Sequence, residues 1–140
     1  MFRRILFAHN ATPAAERALI YVEHLAREES AEVVVLHVYQ TLERYSTMGG
    51  YSALVEQLEA VAQEVVSDAV EYLQKAEVAA RGIASPGAST ARAIVETAEE
   101  EDVSLIVLGT RGPTKVSDLL AGDVSTEVLR NARCPVFLVP

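Results

Sequence analysis

Short runs of branched aliphatic residues alternate along this chain with longer stretches whose apolar residues recur at helical spacing, and this alternation restricts the fold more than any single motif does. A run of five to eight such residues is too short for a helix and reads as a strand, covered on both faces when nearly every position is apolar. Arg4 to His9 (RILFAH) is the first such run, Glu32 to Tyr39 (EVVVLHVY) the clearest, and Val103 to Leu108 (VSLIVL) a third. Cys134 to Val139 (CPVFLV) makes a last strand at the end of the chain. Glu77 to Ala84 is alanine-rich and contains Gly82, which predicts a weak strand at a sheet edge.

Between these runs lie helical patterns. Asn10-Ala11-Thr12-Pro13 marks a turn, with Thr12 suited to an N-cap and Pro13 to the first helical position. From there to Glu29, Ala15, Ala18, Leu19, Val22, Leu25 and Ala26 form one stripe. From Ala53 to Gln74, Leu54, Leu58, Val61, Val65, Ala69 and Leu73 are predicted to face the core. Ser85-Pro86-Gly87 reads as a turn, and Ser89 as the cap of a helix through Ile94, Val95 and Ala98 to Glu101. Gln40 to Ser52, with Gly49-Gly50 flanked by Tyr45, Met48 and Tyr51, loses periodicity and is either a plain loop or a flap over a site. The acidic cluster Glu99-Glu100-Glu101-Asp102 is expected to be a solvated face and not a metal site.

Strands alternating with helices imply a doubly wound α/β fold, a parallel sheet wrapped on both faces with right-handed crossovers. The 140 residues predict one domain, 1–140. No apolar stretch matches a signal peptide or a membrane span, and Cys134 is the only cysteine, which together predict a cytoplasmic protein with an inert thiol. A net charge of −8 argues against nucleic-acid or anionic-membrane partners, which need a basic face.

Chemistry concentrates between Gly109 and Ser125, GTRGPTKVSDLLAGDVS. Gly109 and Gly112 permit a sharp turn with close approach to a ligand, and Asp123 is placed to cap a helix beginning at Val124. The free N–H groups of that helix would face the turn, an arrangement that binds phosphate. The stretch fits neither a P-loop nor the dinucleotide fingerprint: Lys115 has no glycine before it and Val116 after it. In a doubly wound sheet, ligands sit outside the carboxyl ends of the strands where the strand order reverses. If the first and fourth strands are neighbours there, Asn10 and Gly109 face one crevice.

These residues resemble the universal stress protein family, whose signature is a glycine, two residues, a second glycine, nine residues and a third glycine followed by Ser or Thr. Gly109, Gly112 and Gly122 keep both spacings, VLRNARCPVFLVP is similar to the family's ending, and ILFAHNAT and VVVLHV resemble its first two strands. The resemblance covers the whole chain. It implies a five-stranded parallel sheet in the order 3-2-1-4-5, Rossmann-like. It also implies a crevice in which some members bind ATP or another adenine nucleotide, with or without Mg²⁺. By position, Asn10 stands where an Asp contacts the ribose or base, and Val38 where backbone groups contact adenine. Gly109, Arg111 and Gly112 would line the phosphates, closed by Gly122, Asp123, Val124 and Ser125.

Two residues depart from that pattern. Asn10 replaces a carboxylate with an amide that keeps an acceptor and adds donors. Asp123 replaces the hydroxyl residue after the third glycine, and a carboxylate ~4 Å from a phosphate charge repels it by roughly 4 kcal/mol at an effective dielectric near 20. A Mg²⁺ ion bridging Asp123 and the phosphates would reverse that sign. Two functions from different classes follow: a nucleotide-binding regulatory module, or a nucleotide-free interaction protein whose site Asp123 fills, acting as a homodimer through residues 134–139. An enzyme is the third class, at most a slow ATPase, since His9, His24 and His37 each have a plainer role at a strand end, on a helix surface and within a strand.

Overall fold

The computed structural model describes residues 1–110 and 124–140. Five parallel strands form one sheet in the order β3-β2-β1-β4-β5: β1 (Arg4–Ala8), β2 (Glu32–Gln40), β3 (Ala80–Gly87), β4 (Leu105–Gly109) and β5 (Val136–Val139). The described helices are α1 (Pro13–Glu29), α2 (Tyr51–Lys75), α3 (Thr90–Glu100) and α4 (Val124–Asn131). Successive side chains of a strand point to opposite faces. Ile5, Phe7, Val33, Val35, Leu105 and Val107 thus pack with α1 and α2, while Leu6, Ala8, Val34, Leu36, Ile106 and Leu108 pack on the other face with α3 and Val128 of α4. Both faces are covered, which is why these strands are apolar throughout and do not alternate. No helix among the described residues is long and apolar enough to cross a membrane.

Helix α1 starts as its sequence dictates. Thr12 is extended and its Oγ accepts from Ala15 N at 3.2 Å, with Pro13 next. Ser89 caps α3 in the same way through Arg92 N.

Five sequence expectations need correction. Ser85-Pro86-Gly87 is not a turn: it is the end of β3, in register with Val38, Tyr39 and Gln40. Proline is tolerated there because β3 is an edge strand bonded to β2 alone. The strand accordingly begins at Ala80, after a left-handed turn at Glu77. The core face of α2 is Ala62, Val66, Ala69 and Leu73; Leu54 is exposed in the first turns of this 25-residue helix, where no residue is buried, and Val61 is exposed because it lies off the stripe headed by its buried neighbour Ala62. Its packing on β3 is close: a Cβ at Gly82 would collide with Val66. Glu101 is not simply solvated; it pairs with Arg81, which also bonds Glu32 at 3.0 Å, and its carbonyl accepts from Arg4 at 2.5 Å. The last strand starts at Val136, not Cys134.

Candidate functional site

The strand order reverses at β1 and β4: β1 leads through α1 to β2 on one side, and β4 lies on the other. A crevice of ≈ 340 Å³ opens there, beyond the carboxyl ends of the strands. Among the described residues its walls are Ala8, Leu36, Val38, Ile94, Leu108 and Val124, and its polar groups come from His9, Asn10, His37, Gln40, Thr90, Gly109 and Ser125. Apolar walls with a few convergent polar groups are the usual composition of a small-molecule site.

Of the residues picked out from the sequence, Asn10, Val38, Gly109, Val124 and Ser125 meet in this crevice. Arg111, Gly112, Gly122 and Asp123 lie outside the described residues, as does the proposed N-cap on α4. Ser125 is buried at the amino end of α4 as described. No group of three or more His, Cys, Asp or Glu placed to hold a metal ion occurs among the described residues.

Gly109 has a packing role that its place in a glycine motif conceals. A Cβ there would sit 2.5 Å from Ala15 N and 2.6 Å from the Ala14 carbonyl carbon, so glycine lets β4 press against the first turn of α1. This brings the two walls of the crevice together. Asn10 is also more committed than its sequence implies. Its Oδ1 accepts from Thr12 N at 3.2 Å and Thr12 Oγ at 2.6 Å, an Asx turn that positions the cap of α1. With that oxygen engaged twice, what Asn10 offers a ligand is its Nδ2 donors, where an aspartate would offer an acceptor.

Thr90, Ile94, Gln40 and His37 also line the crevice and were not singled out from the sequence as binding residues. Thr90 had a legible signal, since it follows a strand's carboxyl end and opens a helix. The others arrive through long-range pairing that no local pattern reports. Of the segment from Gln40 to Ser52, the crevice takes only Gln40; Leu42, Tyr45 and Met48, around a 3₁₀ turn at Glu43–Tyr45, join Leu54, Val55 and Leu58 in a separate apolar groove.

His9 is buried, with its ring 5.2 Å from that of Phe7. Burial pushes its pKa below the ordinary histidine value; the Glu16 carboxylate acts in the opposite direction and His37 in the same one. Cys134 is half-buried, and burial pushes its thiol up, away from the nucleophilic form.

A doubly wound parallel α/β protein with a crevice at its topological switch point is the class that fold and site define. The whole chain, residues 1–140, matches the universal stress protein family, and the chain belongs to that family. Universal stress protein YxiE of Bacillus subtilis is 30% identical over 147 residues, an alignment that spans 99% of each chain. The structure of MJ0577, a universal stress protein of Methanocaldococcus jannaschii, superposes with a TM-score of 0.85 at 27% identity, covering 99% of this chain and 96% of that one. A universal stress protein from Archaeoglobus fulgidus, solved in complex with dAMP, shares the fold with a TM-score of 0.72 at 23% identity, covering 100% and 98% of the two chains.

Proposed function

We propose that this protein is a cytoplasmic regulatory module that binds an adenine nucleotide, ATP or AMP, in the crevice between β1 and β4 and signals its occupancy to a protein partner. The observation that carries this reading is the convergence of Asn10, the end of β2 at Val38, Gly109 and the amino end of α4 on one crevice at the switch point. The walls fit the group: Ala8, Leu36, Val38 and Leu108 suit a base plane, and Ser125 and the main chain at Gly109 suit polar oxygens. The dAMP-bound protein from A. fulgidus, at 23% identity, contributes the fold alone, so the reading rests on this chain's own residues. Gln40 lines both the crevice and the apolar groove of Tyr45, Met48 and Leu54, which gives occupancy a route to the surface. The site is read as a binding site and not as a catalytic one, with any hydrolysis slow and incidental.

The same protein is proposed to form a homodimer through its last strand. That edge, unlike β3, carries neither proline nor glycine within the strand.

Calorimetric titration of ATP, ADP and AMP, with and without Mg²⁺, on the parent and on Asp123→Ser tests the nucleotide reading. Binding by the parent with a Kd below ~1 mM is expected. Binding that strengthens with Mg²⁺ and loses that dependence in Asp123→Ser would place the ion on the carboxylate. If none of the three binds the parent and Asp123→Ser does bind, the carboxylate fills the phosphate site and the nucleotide-free interaction protein is the correct reading.

A further inference from the structure

The turn that carries Asn10 is held by a histidine whose two ring nitrogens are both committed. His9 Nδ1 accepts the Ala11 N–H at 3.0 Å, and Ala11 is in the left-handed region with φ 61, a conformation that a residue with a Cβ adopts only when it is held there. Nδ1 therefore carries a lone pair, and the proton of the neutral ring sits on Nε2, which lies 3.3 Å from Glu16 Oε1. The backbone of the same residue is fixed on both sides. His9 N donates to Leu36 O at 2.8 Å, and His9 O accepts from His37 Nδ1 at 2.6 Å, extending the β1–β2 pairing by a side chain. From this anchor the chain turns through Asn10 and Ala11 to Thr12, whose bonds to Asn10 Oδ1 and Ala15 N complete the entry to α1.

We propose that His9 is a positioning residue of the nucleotide crevice, holding the 9–12 turn and with it Asn10 only while its imidazole is neutral, so that acidification loosens the bound nucleotide. This rests on the reading that the crevice takes an adenine nucleotide. The physical step is a conflict of donors. A proton on Nδ1 would point at the Ala11 N–H, the bond would be lost, and Ala11 would have no reason to remain left-handed. Asn10 sits between the two residues and moves with them. Among the described residues the titratable groups acting on the ring are Glu16 of α1, which favours the imidazolium, and His37 of β2, which opposes it; β4, LIVLG, has no ionisable side chain. Glu16 is two-thirds exposed, so solvent screens its contribution, whereas the desolvation of the ring is not screened.

The test compares the parent with His9→Asn, whose Oδ1 takes the place of Nδ1 as acceptor and does not titrate. AMP affinity is measured for both between pH 7.5 and 5, and the ratio of the two removes the nucleotide's own protonation. The parent is expected to lose about fivefold to tenfold relative to His9→Asn at the acid end, the worth of one buried hydrogen bond. In Glu16→Gln the loss should begin at higher acidity, since the group that favours the imidazolium is gone. A ratio that stays flat, or affinity that rises in acid because the cation attracts phosphate, overturns the proposal. A second readout needs no ligand: the Ala11 amide proton, followed by NMR, should shift with the His9 ring in the parent and stay still in His9→Asn. If none of ATP, ADP and AMP binds either protein at pH 7.5, the nucleotide reading has failed, and the Ala11 amide still decides whether His9 holds the turn; if ATP or ADP binds where AMP does not, the same ratio is measured with that nucleotide. An amide indifferent to the ring overturns the inference even where nucleotide binds.

Discussion

At the scale of single residues, the site is built from groups that do two things at once. Gly109 belongs to a glycine pattern that points to a ligand, yet the space where its Cβ would stand is filled by the backbone of Ala14 and Ala15. Asn10 looks like a ligand contact, yet its oxygen is the hinge of an Asx turn. His9 has the same double character with a consequence for stability. The unfolded chain protonates a histidine near pH 6.5, whereas burial pushes the folded value lower. Between the two values the unfolded chain binds more protons, so stability rises with pH in that window and is lost as pH falls from about 6.5 toward the folded value. Urea midpoints of the parent should therefore fall over that interval by more than those of His9→Asn, in which this proton is absent. Equal slopes for the two proteins would mean that the His9 ring is as free to protonate when folded as when unfolded.

At the scale of elements, three helices stop in the same way. Ser30, Glu77 and Asp102 follow α1, α2 and α3, and all three are left-handed, with φ between 52 and 63. In each case the next residue, Ala31, Val78 or Val103, is buried and donates its N–H five residues back, to Ala26, Leu73 or Ala98. This is a Schellman closure made without glycine. Since a side chain in the left-handed region costs roughly 1–2 kcal/mol that glycine does not, offset in part by the larger entropy glycine loses on folding, Ser30→Gly, Glu77→Gly and Asp102→Gly should each stabilise the fold by up to about 1 kcal/mol, read as a higher denaturant midpoint at unchanged slope. Loss of stability in Asp102→Gly alone would show that its carboxylate does more than end the helix. The sequence shows these stops only indirectly, because the usual mark of the closure is missing. It misleads at β3 for a related reason: Ser85-Pro86-Gly87 has the composition of a turn, and only the edge position of the strand permits it to be extended. By contrast β1, β2 and β4 are legible, since a strand buried on both faces must be apolar at nearly every position. The stripe on α2 is legible as a helix but not as a core face, because periodicity reports which residues share a side and not whether a sheet lies beneath them.

For the whole molecule, the alternation of strands and helices defines the parallel sheet, and the position of the crevice follows from the reversal of strand order, which is why Asn10 and Gly109 could be placed together from the sequence, whereas Val38 was reached only through the family resemblance. The residues that enter by long-range pairing, His37 and Ile94 among them, could not be. The same sheet leaves two edges, and they differ. β3 carries Pro86, Gly82, Gly87 and an exposed Arg81, features that discourage a further strand from adding. β5, VFLV, has none of these, and Phe137 on it is 37% exposed, its ring centroid 5.8 Å from that of Tyr21 of α1 in a tilted contact, Tyr21 itself being half exposed. An apolar edge next to an exposed aromatic pair suits a second copy related by a two-fold axis, each β5 pairing with the other. Two chains of charge −8 repel one another, so such a dimer, if held by backbone bonds and Phe137, should strengthen with added salt as the repulsion is screened. Sedimentation equilibrium is expected to show a dimer at micromolar concentration and a monomer for Phe137→Asp, which places a charge on the edge while leaving the core untouched. A dimer that weakens as salt is added would point to an interface of ion pairs elsewhere on the surface, and a Phe137→Asp protein that remains dimeric would exclude this edge.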